Sequence, residues 1–174
     1  MALTDYITLG RSGLRVSPLA LGTMTFGTDW GWGADEAEAR RMFDLYAERG
    51  GNFVDTANFY TSGSSETLLG RFMAGQRDRT VLATKYSLNL HPGDPNGGGN
   101  HRKSIVRGVE ASLKRLATDY IDLRYLHIWA DTTPVEEVTT WCAPARSSMR
   151  VSLTRRPGRW RACRPWPTCA AGRR

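Results

Sequence analysis

The sequence predicts a parallel α/β fold, either a doubly wound sheet or a (β/α)8 barrel, and three observations predict it. Short apolar strands alternate with helices of about ten to fifteen residues four times over, the pattern of right-handed βαβ crossovers. Three successive strands break off at an ionisable residue, Asp55, Lys85 and His127. No apolar run reaches membrane-spanning length, while a hydrophobic content of 40% suits a chain with a buried core.

Tyr6–Gly10 and Leu14–Ser17 flank G-R-S-G and read as a small hairpin. Leu19–Gly22 reads as a short buried strand, followed by a loop to Gly33 rich in Gly, Thr and Trp. That first turn, G-T-M-T-F-G, matches neither a dinucleotide nor a nucleoside-triphosphate phosphate loop. Asp35 to Arg49 has helical spacing, with Met42, Phe43, Leu45 and Tyr46 on one face, acids in the first turn and Gly50 as the stop. Asn52-Phe-Val is a strand ending at Asp55, and Glu66 to Met73 is a helix capped by Ser64 or Ser65, with Leu68, Leu69, Phe72 and Met73 inward. Thr80 to Thr84 is the next strand, ending at Lys85. Leu90 to Asn100 is too rich in Gly and Pro for regular structure, and long loops within compact domains are often functional. A third helix spans Arg102 to Leu116, and a fourth strand runs from Tyr120 to His127. Thr133-Pro134 followed by acids starts another helix.

If the sheet is parallel, Asp55, Lys85 and His127 gather at its C-terminal face, and Tyr60 joins them from the loop after Asp55. A strand-end acid alone is more often a turn or cap, and Tyr60 alone is most simply packing. The four at one end of successive strands are much harder to obtain by chance. A lysine charge held by an acid beside a phenol favours loss of the phenolic proton, which suits the tyrosine to general acid catalysis.

The net charge of +7 is unevenly placed. Residues 1–138 hold 15 Lys+Arg against 17 Asp+Glu, whereas residues 139–174 hold nine arginines, no acid, all three cysteines, three of six tryptophans and half the prolines. Two compositions therefore meet near Val138. The first residues have neither a basic stretch nor an apolar stretch of the secretory kind, so the expected location is cytoplasmic. Cys163 and Cys169 show no metal-ligand spacing, and no metal is expected. The tail is expected to be irregular or disordered, with no specific nucleic-acid site and no membrane partner.

Five stretches resemble successive signatures of the aldo-keto reductases: G-R-S-G-L-R-V-S-P-L-A-L-G-T-M-T-F-G (Gly10 to Gly27), F-V-D-T-A-N-F-Y (Phe53 to Tyr60), S-E-T-L-L-G (Ser65 to Gly70), A-T-K-Y (Ala83 to Tyr86) and Y-I-D-L-R-Y-L-H-I-W (Tyr120 to Trp129). The resemblance covers residues 5–138. It implies a (β/α)8 TIM barrel that reduces an aldehyde or ketone with NADPH, with a small-molecule carbonyl compound as partner. By matching position, Tyr60 is the proton donor, Lys85 its activating neighbour, Asp55 the partner of Lys85, and His127 the group that orients the substrate carbonyl. Gly22, Thr23, Met24 and Asp55 are expected beside the cofactor, and Trp30, Trp32 and Trp129 in an apolar, aromatic-lined substrate pocket. A non-catalytic cofactor-binding or interaction module on the same fold is the alternative, and retention of all four groups argues against it.

After Val138 the resemblance stops, where four more βα units are expected of a barrel of about 250 residues. Regrouping the codons from Val138, the third base of each with the first two of the next, allows D-D-L-V-R-A-G-K-V-L-Y-A-G-I-S-D-T-P-A-W, which looks like the family's next helix and strand. The expectation is therefore a frame-changing deletion near Val138. The chain is then the first four βα units and the hairpin, truncated, followed by a tail that is not a domain.

Overall fold

The computed structural model describes residues 1–139. The expectations for the basic tail, including Cys142, Cys163 and Cys169, lie outside the described residues. An antiparallel hairpin, β1 (Ile7–Thr8) with β2 (Arg15–Val16), precedes a four-stranded parallel sheet of order β3 (Leu21–Gly22), β4 (Phe53–Asp55), β5 (Val81–Tyr86) and β6 (Leu123–Leu126). The helices α1 (Glu36–Glu48), α2 (Ser64–Phe72) and α3 (Arg102–Arg115) connect the strands, and α4 (Val135–Thr139) follows β6.

Strand periodicity sorts the residues into two faces. Val54, Leu82 and Leu21 join Phe43, Leu69, Phe72, Met73 and Leu116 in a core beneath α1 and α2. Tyr86 and Leu126 meet Ile105 and Val109 of α3. On the opposite face Val81, Ala83 and Leu123 are covered at the N-terminal end of the strands by Val16, Leu9 and Leu14 of the hairpin. Register then places Gly22 beside Asp55, Asp55 beside Ala83, and Lys85 beside Tyr125. Gly22, Asp55, Lys85 and His127 therefore share the hairpin-side face, at its C-terminal end.

Several boundaries and faces differ from the sequence reading. β6 begins at Leu123, not Tyr120, because the Asp122 carboxylate takes the Leu82 N–H at 2.9 Å and an Arg77 N–H at 2.8 Å. Tyr120 instead lies under the Arg77 guanidinium, 3.7 Å from its ring centroid. β5 continues past Thr84 to Tyr86, since Lys85 and Tyr86 still pair with β6. In α1 the buried stripe is Ala39 and Phe43, with Tyr46 packed beside it; Met42 and Leu45 are exposed. The residue before α2 is Gly63, in a left-handed conformation that suits glycine, so neither Ser64 nor Ser65 is the cap. The Ser65 N–H is taken by the Thr61 hydroxyl at 3.0 Å instead. Gly70 has a packing reason: a Cβ there would lie 2.7 Å from the Leu116 carbonyl carbon, where α2 crosses the end of α3.

Candidate active site

The centre of the site is the Lys85 ammonium. β5 carries it on the hairpin-side face, and its three N–H bonds have three acceptors: Asp55 Oδ2 at 2.5 Å, the Thr56 carbonyl at 3.0 Å and the Tyr60 hydroxyl at 3.1 Å. A lysine has three donors and no acceptor, so Tyr60 receives a proton contact from Lys85 and keeps its own O–H for another partner. The ammonium also lies 4.8 Å from the Tyr60 ring centroid. Asp55 and Lys85 are both partly buried, which strengthens their attraction over that of an exposed pair.

Tyr60 is presented by a strained turn. Thr61 and Ser62 both have positive φ, 45° and 56°, and for the β-branched Thr61 that is a genuine outlier. Two buried hydrogen bonds hold it there, since the Thr61 hydroxyl donates to the Phe26 carbonyl at 2.6 Å and accepts from the Ser65 N–H. Sequence reading did not find this, because part of the cost of Thr61 is repaid by the Phe26 carbonyl, 35 residues away.

His127 follows β6, its N–H donating to the Tyr86 carbonyl at 2.8 Å. Its ring stands edge-on to that of Tyr60, centroids 5.6 Å apart at 89°. Burial depresses its pKa, the Lys85 charge depresses it further, and Asp55 opposes both. The imidazole is accordingly neutral at neutral pH, able to donate from one nitrogen and accept at the other. Its Nδ1 has no partner among the described residues, and neither has the Oδ1 of buried Asn58, whose backbone N–H donates to the Lys85 carbonyl at 3.2 Å. Asn58 was not singled out from sequence, and its only signal was its place between Asp55 and Tyr60.

The predicted flanking residues separate into groups. Gly22 pairs with Asp55, and a Cβ on it would meet nothing within 4 Å, so its main chain borders open space beside the acid. Met24 is exposed, whereas the Thr23 side chain is fully buried, its hydroxyl donating to the Asp55 carbonyl at 3.1 Å. Trp30 and Trp32 stack 5.6 Å apart, and Phe59, unforeseen from sequence, joins them 5.8 Å from Trp30. Trp129 does not join that wall; it packs against the cluster under α3 and donates to Asp131 at 2.9 Å. Among the described residues no cluster of metal-ligating groups occurs.

Residues 18–148 match the sequence profile of the aldo/keto reductase family. The chain belongs to the aldo/keto reductase family. Norsolorinic acid reductase of Aspergillus flavus is 49% identical over 137 residues, covering 73% of this chain and 35% of that protein. An aryl-alcohol dehydrogenase of Pestalotiopsis microspora is 40% identical over 134 residues, covering 72% and 35%. Among solved structures, an aldo-keto reductase from Bacillus halodurans in its holo form aligns with a TM-score of 0.66 at 38% identity, over 76% of this chain and 43% of that one. The chain thus spans about a third of the length of these curated reductase relatives. Its four parallel strands with their helices are part of the TIM-barrel architecture of the aldo-keto reductases. Among the described residues no helix is long and apolar enough to cross a membrane.

Proposed function

We propose that residues 1–138 carry the proton-donor centre of an NADPH-dependent reductase of aldehydes or ketones, with Asp55, Tyr60, Lys85 and His127 as its catalytic residues. The observation that carries this reading is the threefold hydrogen bonding of Lys85, one bond of which ends on Tyr60. NADPH supplies a hydride to the carbonyl carbon when bound. Tyr60 donates its O–H proton to the carbonyl oxygen as negative charge builds there. The Lys85 ammonium, paired with and aimed by Asp55, stabilises the phenolate left on Tyr60. Neutral His127, edge-on to Tyr60, holds the carbonyl oxygen towards that proton.

The open main chain at Gly22 with Asp55, Thr23 and Met24 would border the nicotinamide, Thr23 by packing alone because its hydroxyl, backbone N–H and carbonyl are all hydrogen-bonded within the protein. The Trp30, Trp32 and Phe59 wall supports an aromatic carbonyl substrate, in keeping with the name of the aryl-alcohol relative. Trp129, expected in the same pocket, packs against the cluster under α3 instead. The site is read as cytoplasmic. Residues 139–174 are read as a frame-shifted tail rather than a domain, which leaves the chain as written weakly active or inactive. Sequencing the gene across codon 138 tests that point directly.

The chemistry is tested in a chain whose alternative frame after Val138 is restored. It should oxidise NADPH in the presence of a small aromatic aldehyde, and Tyr60→Phe should lower kcat by about 10² to 10⁴ with cofactor binding nearly unchanged. Near-normal turnover in Tyr60→Phe would overturn the assignment.

A further inference from the structure

Behind the site lies a cluster that the chemistry above does not use. Thr23, Thr56 and Ser65 are each fully buried, and their hydroxyls meet: Ser65 Oγ lies 2.9 Å from Thr23 Oγ1 and 2.9 Å from Thr56 Oγ1. The three residues come from the loops after β3 and β4 and from the first turn of α2. Three protons serve four contacts, the Thr23 proton being shared between the Asp55 carbonyl and Ser65 Oγ. Ser65 donates to the Thr23 carbonyl at 2.7 Å, Thr23 donates to the Asp55 carbonyl, and Thr56 donates to Ser65. Around them the Asp55–Thr56 peptide is gripped on both sides, its carbonyl taken by the Thr23 N–H at 3.0 Å and its N–H by the Ala83 carbonyl at 2.9 Å. The next carbonyl along, that of Thr56, is the one that accepts from Lys85.

We propose that Ser65 is a positioning residue for the proton-donor centre: by anchoring Thr56 it aims the Thr56 carbonyl at the Lys85 ammonium, which fixes the rotation that points another Lys85 N–H at Tyr60. A tetrahedral ammonium with two N–H bonds fixed has the third fixed as well. If the Thr56 carbonyl turns away, Asp55 alone holds Lys85, and the ammonium is free to rotate off Tyr60. Three buried hydroxyls are also a costly way to fill a core, because apolar groups of the same shape satisfy packing without the desolvation of polar atoms. Their service to Lys85 accounts for them. The proposal rests on the assignment of Lys85 and Tyr60 above.

The test reads Lys85 directly. The chain has three lysines, and Lys103 and Lys114 are exposed. In the full-length 15N-labelled chain the Lys85 ammonium, identified by its loss in Lys85→Met, should give a slowly exchanging side-chain signal near neutral pH while those of Lys103 and Lys114 are lost to exchange. Ser65→Ala and, separately, the near-isosteric Thr56→Val should each speed exchange of the Lys85 protons about tenfold or more, the equivalent of one lost charged hydrogen bond. The backbone amide fingerprint of β4 and β5 should persist in both. Thr67→Ala, which removes a hydroxyl of the same helix bonded among the described residues only to the Gly63 carbonyl, should leave Lys85 unchanged. A fast-exchanging Lys85 in the unsubstituted chain would overturn the assignment of the centre itself. Slow exchange that survives both Ser65→Ala and Thr56→Val would leave the centre standing and overturn the positioning role. Loss of the fold in both variants would also overturn it, since the cluster would then serve stability alone.

Discussion

Replacing Arg124 with methionine should stabilise the protein, although it removes a charged residue from the middle of a strand. Arg124 is 1% exposed, on the helix-facing side of β6, and none of its three guanidinium nitrogens has a hydrogen-bond partner among the described residues. The carboxylate that could serve it, Glu66, is occupied by the Thr84 hydroxyl at 2.6 Å and by Arg115 at 2.7 Å. What remains is the face of Tyr86, 4.8 Å from the guanidinium carbon, and the field of Glu66. Burial lowers the guanidinium pKa to about 10, with Glu66 and Tyr86 opposing and Arg115 assisting. A drop of that size from the ordinary arginine value corresponds to about 3 kcal/mol against the charged form. Orphaned buried donors cost about 1–3 kcal/mol each, and a desolvated cation over an aromatic face returns about 2 kcal/mol, so the second route gives the same order. Methionine has similar length and no branch, so it fits beneath Gly108, where the Arg124 side chain already sits against the helix backbone. Arg124→Met should therefore raise unfolding stability at pH 7 by about 2–4 kcal/mol, seen as a higher urea midpoint with unchanged slope. The sign with pH follows from the unfolded state binding its proton more tightly. The penalty is fully present below pH 10 and is relieved as pH rises through the folded value, so the substituted chain should lack that alkaline gain. A variant equal to or less stable than the parent at pH 7 would refute the reading of Arg124 as an uncompensated charge.

Arg115→Ala should do the reverse. It strands the fully buried Glu66 with only the Thr84 hydroxyl, and the cost should be about 3–5 kcal/mol by urea unfolding; a loss under about 1 kcal/mol would show that Arg124 can take over the carboxylate. His127 predicts a pH effect on stability. Its folded pKa lies below the unfolded value, so the unfolded chain binds more protons between the two, and stability should fall as pH drops below about 6.5. His127→Gln should flatten that part of the profile, and an unchanged slope between pH 7 and pH 5 would place the acid sensitivity elsewhere.

The sequence by itself determined the alternation of strands and helices, the hairpin, and the four ionisable groups of the candidate site. All of these are local properties: periodicity along a segment, a glycine that ends it, a residue type where a strand stops. A parallel sheet then carries strand ends to one face, which is why Asp55, Lys85 and His127 could be placed together before any contact was known, and why the family signatures on the same stretches named the same residues. What the tertiary structure decided are pairings between distant segments. Ser65 looked like a helix cap, yet its hydroxyl serves Thr23 and Thr56, because the cap position fell on Gly63. The three tryptophans looked equivalent as loop aromatics, and packing put Trp30 and Trp32 with Phe59 while Trp129 went to α3. Arg124 reads as an ordinary charged residue in a strand, and only the closing of α2 and α3 over β5 and β6 leaves it without water and without a carboxylate. Period-two alternation assigns a residue to a face of the sheet; which hydrogen-bond partners that face offers depends on elements tens of residues away, and no local pattern carries that information.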